Sequence, residues 1–234
     1  KQFVVEGGQY RQQNVKVLHQ LPSTLSEIEL EDGSHIEADA FVFATGPWLS
    51  LLLPQVLEGV IRPSKQDLFY FGMPSYVKFK NKIPVWCDFA TLEEDVMYYG
   101  IPASDLATAG FGFKVGRDVA GPDFDPELGE RIFDHQNLAH ARRYMEQRFP
   151  FMKGSPLLQT RVCQYENTFD AHLVIDNIPG YKNLWVVGGG SGHGYKLGAA
   201  VGRYVAHRME GSIAEEPLFL LNRLSHPSDG DQRR

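Results

Sequence analysis

The sequence predicts a mixed α/β (α+β) fold in which an antiparallel layer is inserted into a sheet of buried strands. Three observations predict it. Residues 40–44 and 184–187 are short uninterrupted apolar runs, the pattern of strands covered on both faces of a largely parallel sheet. The second run leads through a glycine-rich turn, 188–196, into Leu197, Ala200, Val201, Tyr204 and Val205 at one-sided helical spacing. Between about 65 and 120 the pattern changes to short strands rich in aromatics, Gly and Pro, as expected of an antiparallel second layer flooring a substrate site.

The remaining elements follow in order. Residues 3–6 and 15–21 read as short strands. Ile28 and Leu30 alternate with Glu27 and Glu29 before Asp32-Gly33, a hairpin turn. Gly46-Pro47 ends the strand at 40–44. Strands are expected at 66–71, 85–89, 96–99 and 110–115. Residues 126–149 read as helix, jointed once, with Leu138, Ala141, Tyr144, Met145 and Arg148 on one stripe and Pro150 as the stop. The tail 225–234 is polar and aperiodic, as a disordered terminus would be. There is no internal repeat.

Composition bounds the function. The 234 residues allow one large domain or two small ones, and 43% hydrophobic with 12% aromatic content suffices for a packed core. A net charge of −6 argues against nucleic acid and against an anionic membrane surface. No apolar run reaches the 18 or so residues of a membrane span, and no signal peptide is visible, so the cytoplasm is the default location. Two cysteines, Cys87 and Cys163, do not make a disulfide framework.

The chemistry concentrates in Gly188-Gly189-Gly190-Ser191-Gly192-His193-Gly194-Tyr195-Lys196. Five glycines in seven residues remove the β-carbons that would hold off a flat ligand or a neighbouring backbone. A dinucleotide fingerprint is excluded, since the position five after Gly188 or Gly190 is His193 or Tyr195. A P-loop is excluded because Leu197, not Ser or Thr, follows Lys196. Two readings stay open at this point. The turn packs a helix closely on a sheet, with His193 and Lys196 merely solvated, or it presents backbone N–H groups and a helix dipole to an electron-rich ligand. Cys163, His172, Asp176 and His193 are metal-ligand types, but their spacing matches no compact zinc pattern.

Upstream lies Thr160-Arg161-Val162-Cys163-Gln164-Tyr165-Glu166-Asn167-Thr168-Phe169-Asp170, then Leu173-Val174-Ile175-Asp176. This order resembles the C-terminal signature of the FAD-dependent amine and amino-acid oxidases of the D-amino-acid oxidase superfamily, nearest the monomeric sarcosine oxidase branch. There a Cys-x-Tyr-Thr-x-Thr-x-Asp-like segment precedes a Phe-Ile-Ile-Asp-like strand and a Gly-Phe-Ser-Gly-His-Gly-Phe-Lys-like turn. Phe41 to Trp48 resembles the family's strand ending in Ala-x-Gly-Ala-Trp. Tyr98-Tyr99-Gly100-Ile101-Pro102 resembles its Tyr-Tyr-Gly-Phe-Pro segment, and Gly112-Phe113-Lys114-Val115-Gly116 resembles the strand bearing its oxygen-activating lysine. The likeness runs to Leu224 with the segments in family order.

The resemblance implies the C-terminal part of a Rossmann-like FAD-binding domain with an inserted antiparallel substrate domain. Residues 1–64 and 161–224 would belong to the former and 65–160 to the latter. No Gly-x-Gly-x-x-Gly occurs and the chain begins at Lys1, so the expectation is the C-terminal part of a longer flavoprotein, or a truncated product that binds FAD poorly alone.

The resemblance also assigns residues. Cys163 becomes a point of covalent flavin attachment, where the cysteine alone reads as buried and inert. Lys196 pairs with a substrate carboxylate instead of being a surface lysine, and His193 lies beside flavin and substrate. Tyr165 and Tyr99 line the substrate cavity, although as lone aromatics they read as core. Lys114 holds a water over the flavin and assists oxygen, where its bland reading is an edge-strand lysine facing water. Gly46, Trp48, Gly189, Gly190, Ser191, Gly192, Gly194 and Lys196 itself contact the cofactor. Two departures stand out: Asp118 replaces a histidine four residues after the lysine, and Gly190 replaces the phenylalanine of the turn.

The function so implied is FAD-dependent oxidation of the C–N bond of an amino acid or secondary amine, with oxygen as acceptor and hydrogen peroxide as product. A dehydrogenase with another acceptor, and a non-catalytic remnant without the dinucleotide-binding half, are the alternatives. Neither nucleic acid nor membrane is an expected partner.

Overall fold

The computed structural model describes residues 2–18, 24–75, 83–89, 96–102, 112–119 and 121–225. In chain order these form a short helix α1 (Gln2–Val5), a hairpin of β1 (Glu27–Glu29) and β2 (His35–Glu37), and β3 (Phe41–Phe43). Next come α2 (Leu49–Leu52), α3 (Pro54–Leu57), β4 (Arg62–Phe71), β5 (Trp86–Asp88), β6 (Met97–Ile101) and β7 (Phe113–Asp118). Then follow α4 (His135–Arg148), β8 (Leu157–Asn167), β9 (Val174–Asn177), β10 (Leu184–Gly188) and α5 (Gly198–Met209). The fold is mixed α/β, and its described residues divide into two compact units, one up to Arg62 and again from Glu166 onward, the other between Pro63 and Tyr165. The chain crosses between them twice, at the start of β4 and near the end of β8.

In the first unit β10 pairs in parallel with β3 and antiparallel with β9. The two apolar runs are therefore neighbours, but the three-stranded sheet is mixed rather than mainly parallel. Nor is β3 covered on both sides: Phe41 and Phe43 are buried whereas Val42 is 42% exposed. An apolar run is a permit for double burial, and here the pleat turns alternate residues outward. Leu49, Leu53, Leu57 and Ile61 from the segment after β3 fill the inner face together with Val174, Leu184 and Val186. The C-terminal segment closes this core through Leu221 and Leu224, held by Leu221 N–H donating to Asp176 (2.9 Å) and by the Arg223–Asp170 ion pair (2.8 Å).

The second unit is a five-stranded sheet ordered β5-β6-β7-β4-β8, with α4 on one face. Pairs are antiparallel between β5 and β6, β6 and β7, and β7 and β4. Phe69, Phe71, Tyr98, Phe113 and Val115 form one buried cluster with Ala141, Tyr144 and Met145 of the helix. Tyr98 and Tyr144 stack 4.0 Å apart with their rings nearly parallel, and the Tyr144 hydroxyl donates to the buried Asp88 (2.8 Å). Arg148 pairs with the same carboxylate at 2.9 Å.

Several local expectations need correction. Residues 3–5 lie in α1 and Glu6 in the turn after it, not in a strand, and the segment from 15 makes only an isolated bridge, Val15 to Leu30, with 19–23 outside the described residues. The helix expected over 126–149 begins only at His135, since Asp134 caps it by accepting from Gln136 N–H (2.7 Å). Before it, Asp125 accepts from the N–H groups of Glu127 and Leu128, both 2.8 Å, and so closes a turn instead. The helix after the glycine turn starts at Gly198, behind a 3₁₀ turn Tyr195–Leu197, and Ala200 of its supposed inner stripe is exposed. Positions 110 and 111 of the expected strand and 226–234 of the tail lie outside the described residues.

Two substitutions measure how α4 is secured. Phe113→Ala, at a fully buried site, should destabilise the chain by about 3–5 kcal/mol. Asp134→Ala, which removes only the cap, should cost about 1 kcal/mol. Denaturant unfolding curves check both, and a larger loss for the cap than for the core residue would contradict this packing.

Candidate active site

The sheet of the second unit has two chemically different faces, and strand register decides which residues share each. Residues directly opposite one another on paired strands point to the same side. Tyr99 opposes Gly116, Ile101 opposes Lys114, and Lys114 opposes Tyr70. These residues therefore share the face away from α4. The alternate residues of β8, Arg161, Cys163 and Tyr165, join them, as their contacts show.

On this face the Tyr99 and Tyr165 hydroxyls lie 3.1 Å apart in a hydrogen bond. The Lys114 ammonium sits 5.2 Å from the centre of the Tyr99 ring, a cation–π contact. Gly116 makes that arrangement possible: a β-carbon there would stand 2.5 Å from the Tyr99 ring. Beyond Lys114, the Arg161 guanidinium lies 5.9 Å from the centre of the Tyr70 ring.

Burial dominates the electrostatics. It pushes Tyr99 and Tyr165 well toward the neutral phenol, and the negative charges of Asp118 and Cys163 push the same way. Burial also lowers the Lys114 pKa, against the pull of a Cys163 thiolate, which raises it. The Cys163 thiol is raised by burial while Lys114 and Arg161 draw it down. Lys114 and Cys163 thus report on one another, a half-buried cation beside an ionisable thiol. Lys114 is not an edge-strand lysine, because β7 has β6 on one side and β4 on the other.

The first unit carries the glycine-rich turn. β3 and β10 run parallel with Phe43 opposite Val186, so Gly46 and Gly189, three residues beyond each, lie at the same carboxyl end of the sheet. Ligands of α/β sheets bind outside such ends. Gly46 adopts φ +58°, and no atom lies within 4 Å of where its β-carbon would be. Trp48 follows in a 3₁₀ turn and is 40% exposed. Gly189 and Gly192 also have positive φ, and so does Ser191 at +43°. A non-glycine residue held there is strained, and such strain collects at functional turns.

Within the turn, Gly188 to Gly190 are buried while Gly192, His193, Tyr195 and Lys196 are exposed. The His193 ring meets the Ser191 carbonyl at 3.2 Å. Lys196 lies in the 3₁₀ turn and not in the first turn of α5. The structure therefore brings Tyr99, Lys114, Cys163 and Tyr165 together on one sheet face, and gathers Gly46, Trp48 and residues 189–196 at one end of the other sheet. Sequence reasoning did not single out Tyr70, Arg161, Gly116 or Glu166. The period-two spacing of Arg161 with Cys163 and Tyr165 was a signal that could have found the second of these.

Among the described residues, no group of three or more His, Cys, Asp or Glu could hold a metal ion, and no helix is long and apolar enough to cross a membrane.

The sequence model of the FAD dependent oxidoreductase family matches residues 1–208. The chain belongs to this family. Monomeric sarcosine oxidase of Bacillus sp. (strain NS-129) is 32% identical over 204 residues, which cover 85% of this chain and 51% of that protein. N-methyl-L-tryptophan oxidase of Salmonella dublin is 26% identical, covering 85% and 51%. The fold is shared with amadoriase II, a fructosamine oxidase of Aspergillus fumigatus (TM-score 0.75, 17% identity, 94% of this chain and 52% of that one). It is shared too with amadoriase I of the same organism, a fructosyl amine:oxygen oxidoreductase (TM-score 0.67, 22%, 85% and 45%). The chain spans about half the length of these relatives.

The pairing of Lys114 with Cys163 can be read chemically. In a flavin-free Cys87→Ser background, Lys114→Met should raise the Cys163 pKa, because it removes the cation that stabilises the thiolate. The pH profile of iodoacetamide alkylation at Cys163 should move to higher pH. An unmoved profile would mean the two groups do not interact.

Proposed function

We propose that this chain forms the catalytic C-terminal part of an FAD-dependent oxidase acting on the C–N bond of an amino acid or secondary amine. The observation that carries the reading is the half-buried face holding Lys114, Tyr99, Tyr165 and Cys163, within a chain of this family. The residues present fit a flavin. Gly46 leaves backbone open at a strand end, Ser191 is strained in the glycine turn, and a lysine is set among aromatics on the sheet face.

When bound, FAD supplies a two-electron acceptor. The substrate loses a hydride from the carbon next to nitrogen and a proton from the nitrogen, giving an imine that water hydrolyses. Oxygen takes up two electrons and two protons as hydrogen peroxide. Gly46, Trp48, Gly189, Gly190, Ser191, Gly192 and Gly194 would hold the cofactor, with Cys163 as its covalent attachment point. Tyr99 and Tyr165, kept neutral by burial, would act as hydroxyl donors and acceptors that orient the amine. Lys196, exposed and free to reach, would receive a substrate carboxylate, with His193 beside it. Lys114 would stabilise negative charge developing on oxygen. Sarcosine, N-methyl-L-tryptophan and fructosyl amines, which name the relatives, share a substituted amine nitrogen, so the same class is proposed here.

Stopped-flow measurement of the two half-reactions in the full-length protein tests this reading. Lys114→Met should slow reoxidation by oxygen about 10²–10³-fold and leave anaerobic reduction by the amine much less affected. The lowered Lys114 pKa adds a sign. The lysine is charged below its pKa, so oxygen reactivity should fall as pH rises through a value below the ordinary 10.5. That limb should vanish in Lys114→Arg, which stays charged. Equal effects on both half-reactions would remove Lys114 from oxygen chemistry and favour a dehydrogenase.

Cys163 has its own test. After acid precipitation and denaturing electrophoresis, yellow fluorescent flavin should stay on the polypeptide, and Cys163→Ala should release it. Fully extractable flavin in the unaltered protein would refute attachment while leaving flavin binding intact.

A further inference from the structure

The Glu166 carboxyl group lies behind the glycine turn, in the first unit. Its Oε1 accepts from Gly190 N–H at 3.2 Å, and its backbone carbonyl accepts from Ser191 N–H at 3.0 Å. Its Oε2 is shut off from solvent and has no hydrogen-bond partner among the described residues. Two glycines of the turn are cut away around it. A β-carbon at Gly190 would stand 3.1 Å from Oε1, and one at Gly188 would stand 2.9 Å from Oε2 and, closer still, 2.3 Å from the Leu49 side chain. Nothing else crowds position 190: its next neighbours are 3.5 and 3.7 Å away, ordinary contact.

These contacts join two positions at which the chain departs from the motifs it resembles. In the motifs that the sequence resembles, phenylalanine takes the position of Gly190 and threonine that of Glu166. A side chain at 190 and a carboxyl group at 166 compete for one space. Losing the first makes room for the second. A buried carboxyl with one unpaired oxygen is costly unless it neutralises or finds a partner, and burial does raise the Glu166 pKa, opposed by the glycine N–H groups.

We propose that Glu166 is the positioning residue of the glycine turn and that Gly190 is its counterpart. The carboxyl group, seated in the notch left by Gly188 and Gly190, fixes how the 189–191 backbone is presented to the ligand bound against it. That ligand is taken as the flavin of the proposed function, so the inference rests partly on that reading.

A double-substitution cycle in the full-length protein tests it, with thermal unfolding and the visible absorption bands of bound flavin as readouts. Gly190→Ala should lower Tm by roughly 3–6 °C in the unaltered protein. In a Glu166→Ala background the added methyl fills vacated space, and the further change should stay below about 1 °C. Equal losses in the two backgrounds would overturn the coupling. In the flavin-bound protein, Glu166→Ala should shift the visible bands, whereas Glu166→Gln, which keeps the shape and the acceptor oxygen, should restore them. Bands unmoved in both variants would overturn the positioning role, and bands moved alike by Gln and Ala would assign the effect to charge instead. If no flavin binds to the unaltered protein, the flavin reading and the ligand half of this inference fall together, and the unfolding cycle alone judges the notch.

Discussion

The register of β6, β7 and β4 is the constraint on which the candidate chemistry depends. Opposing Tyr99 with Gly116 and Lys114 with Tyr70 puts the aromatic cluster of Tyr98, Phe113 and Phe69 against α4 and sends the polar residues to the other face. A slip by one residue would bury Lys114 against the helix and turn Phe113 outward. Register is thus held by the apolar face, and the functional face inherits its precision from packing that takes no part in chemistry. Placing a lysine, two hydrogen-bonded phenols and a thiol on a half-buried sheet face costs desolvation. The raised phenols, the lowered lysine and the raised thiol record that cost in their proton affinities.

The first unit solves a different problem. Parallel pairing of β3 with β10 brings two glycine-bearing turns to one end of a sheet, although the sequence separates them by well over a hundred residues. The turn glycines then serve two ends. Gly46 leaves backbone open, whereas Gly190 makes room for the chain's own Glu166 and Gly188 for both Leu49 and Glu166. A glycine-rich turn is therefore partly a packing device and partly a candidate ligand surface, and only the structure separates the two uses residue by residue.

Much of this was legible in the sequence because the signals were local. The apolar runs at 40–44 and 184–187, the Asp32-Gly33 hairpin and the antiparallel strands each carry their own pattern. So do the motifs around Cys163, Lys114 and the glycine turn. What escaped depends on partners distant in the chain. The outward turn of Val42, the late start of α4 behind its Asp134 cap and the loss of Ala200 from the inner stripe of α5 are set by what packs against them. Glu166 escaped for the same reason. A glutamate in a strand reads as solvent-facing until the missing β-carbons of Gly188 and Gly190, more than twenty residues away, show where its carboxyl group goes.

The proposed activity has one direct consequence that involves no mutation. Mixed anaerobically with N-methylated amino acids or fructosyl amines, the flavin-loaded full-length protein should lose its visible flavin absorption as the amine is oxidised, and regain it when oxygen is admitted, with hydrogen peroxide formed in proportion. A flavin that stays fully oxidised with every such amine would contradict oxidation at a C–N bond.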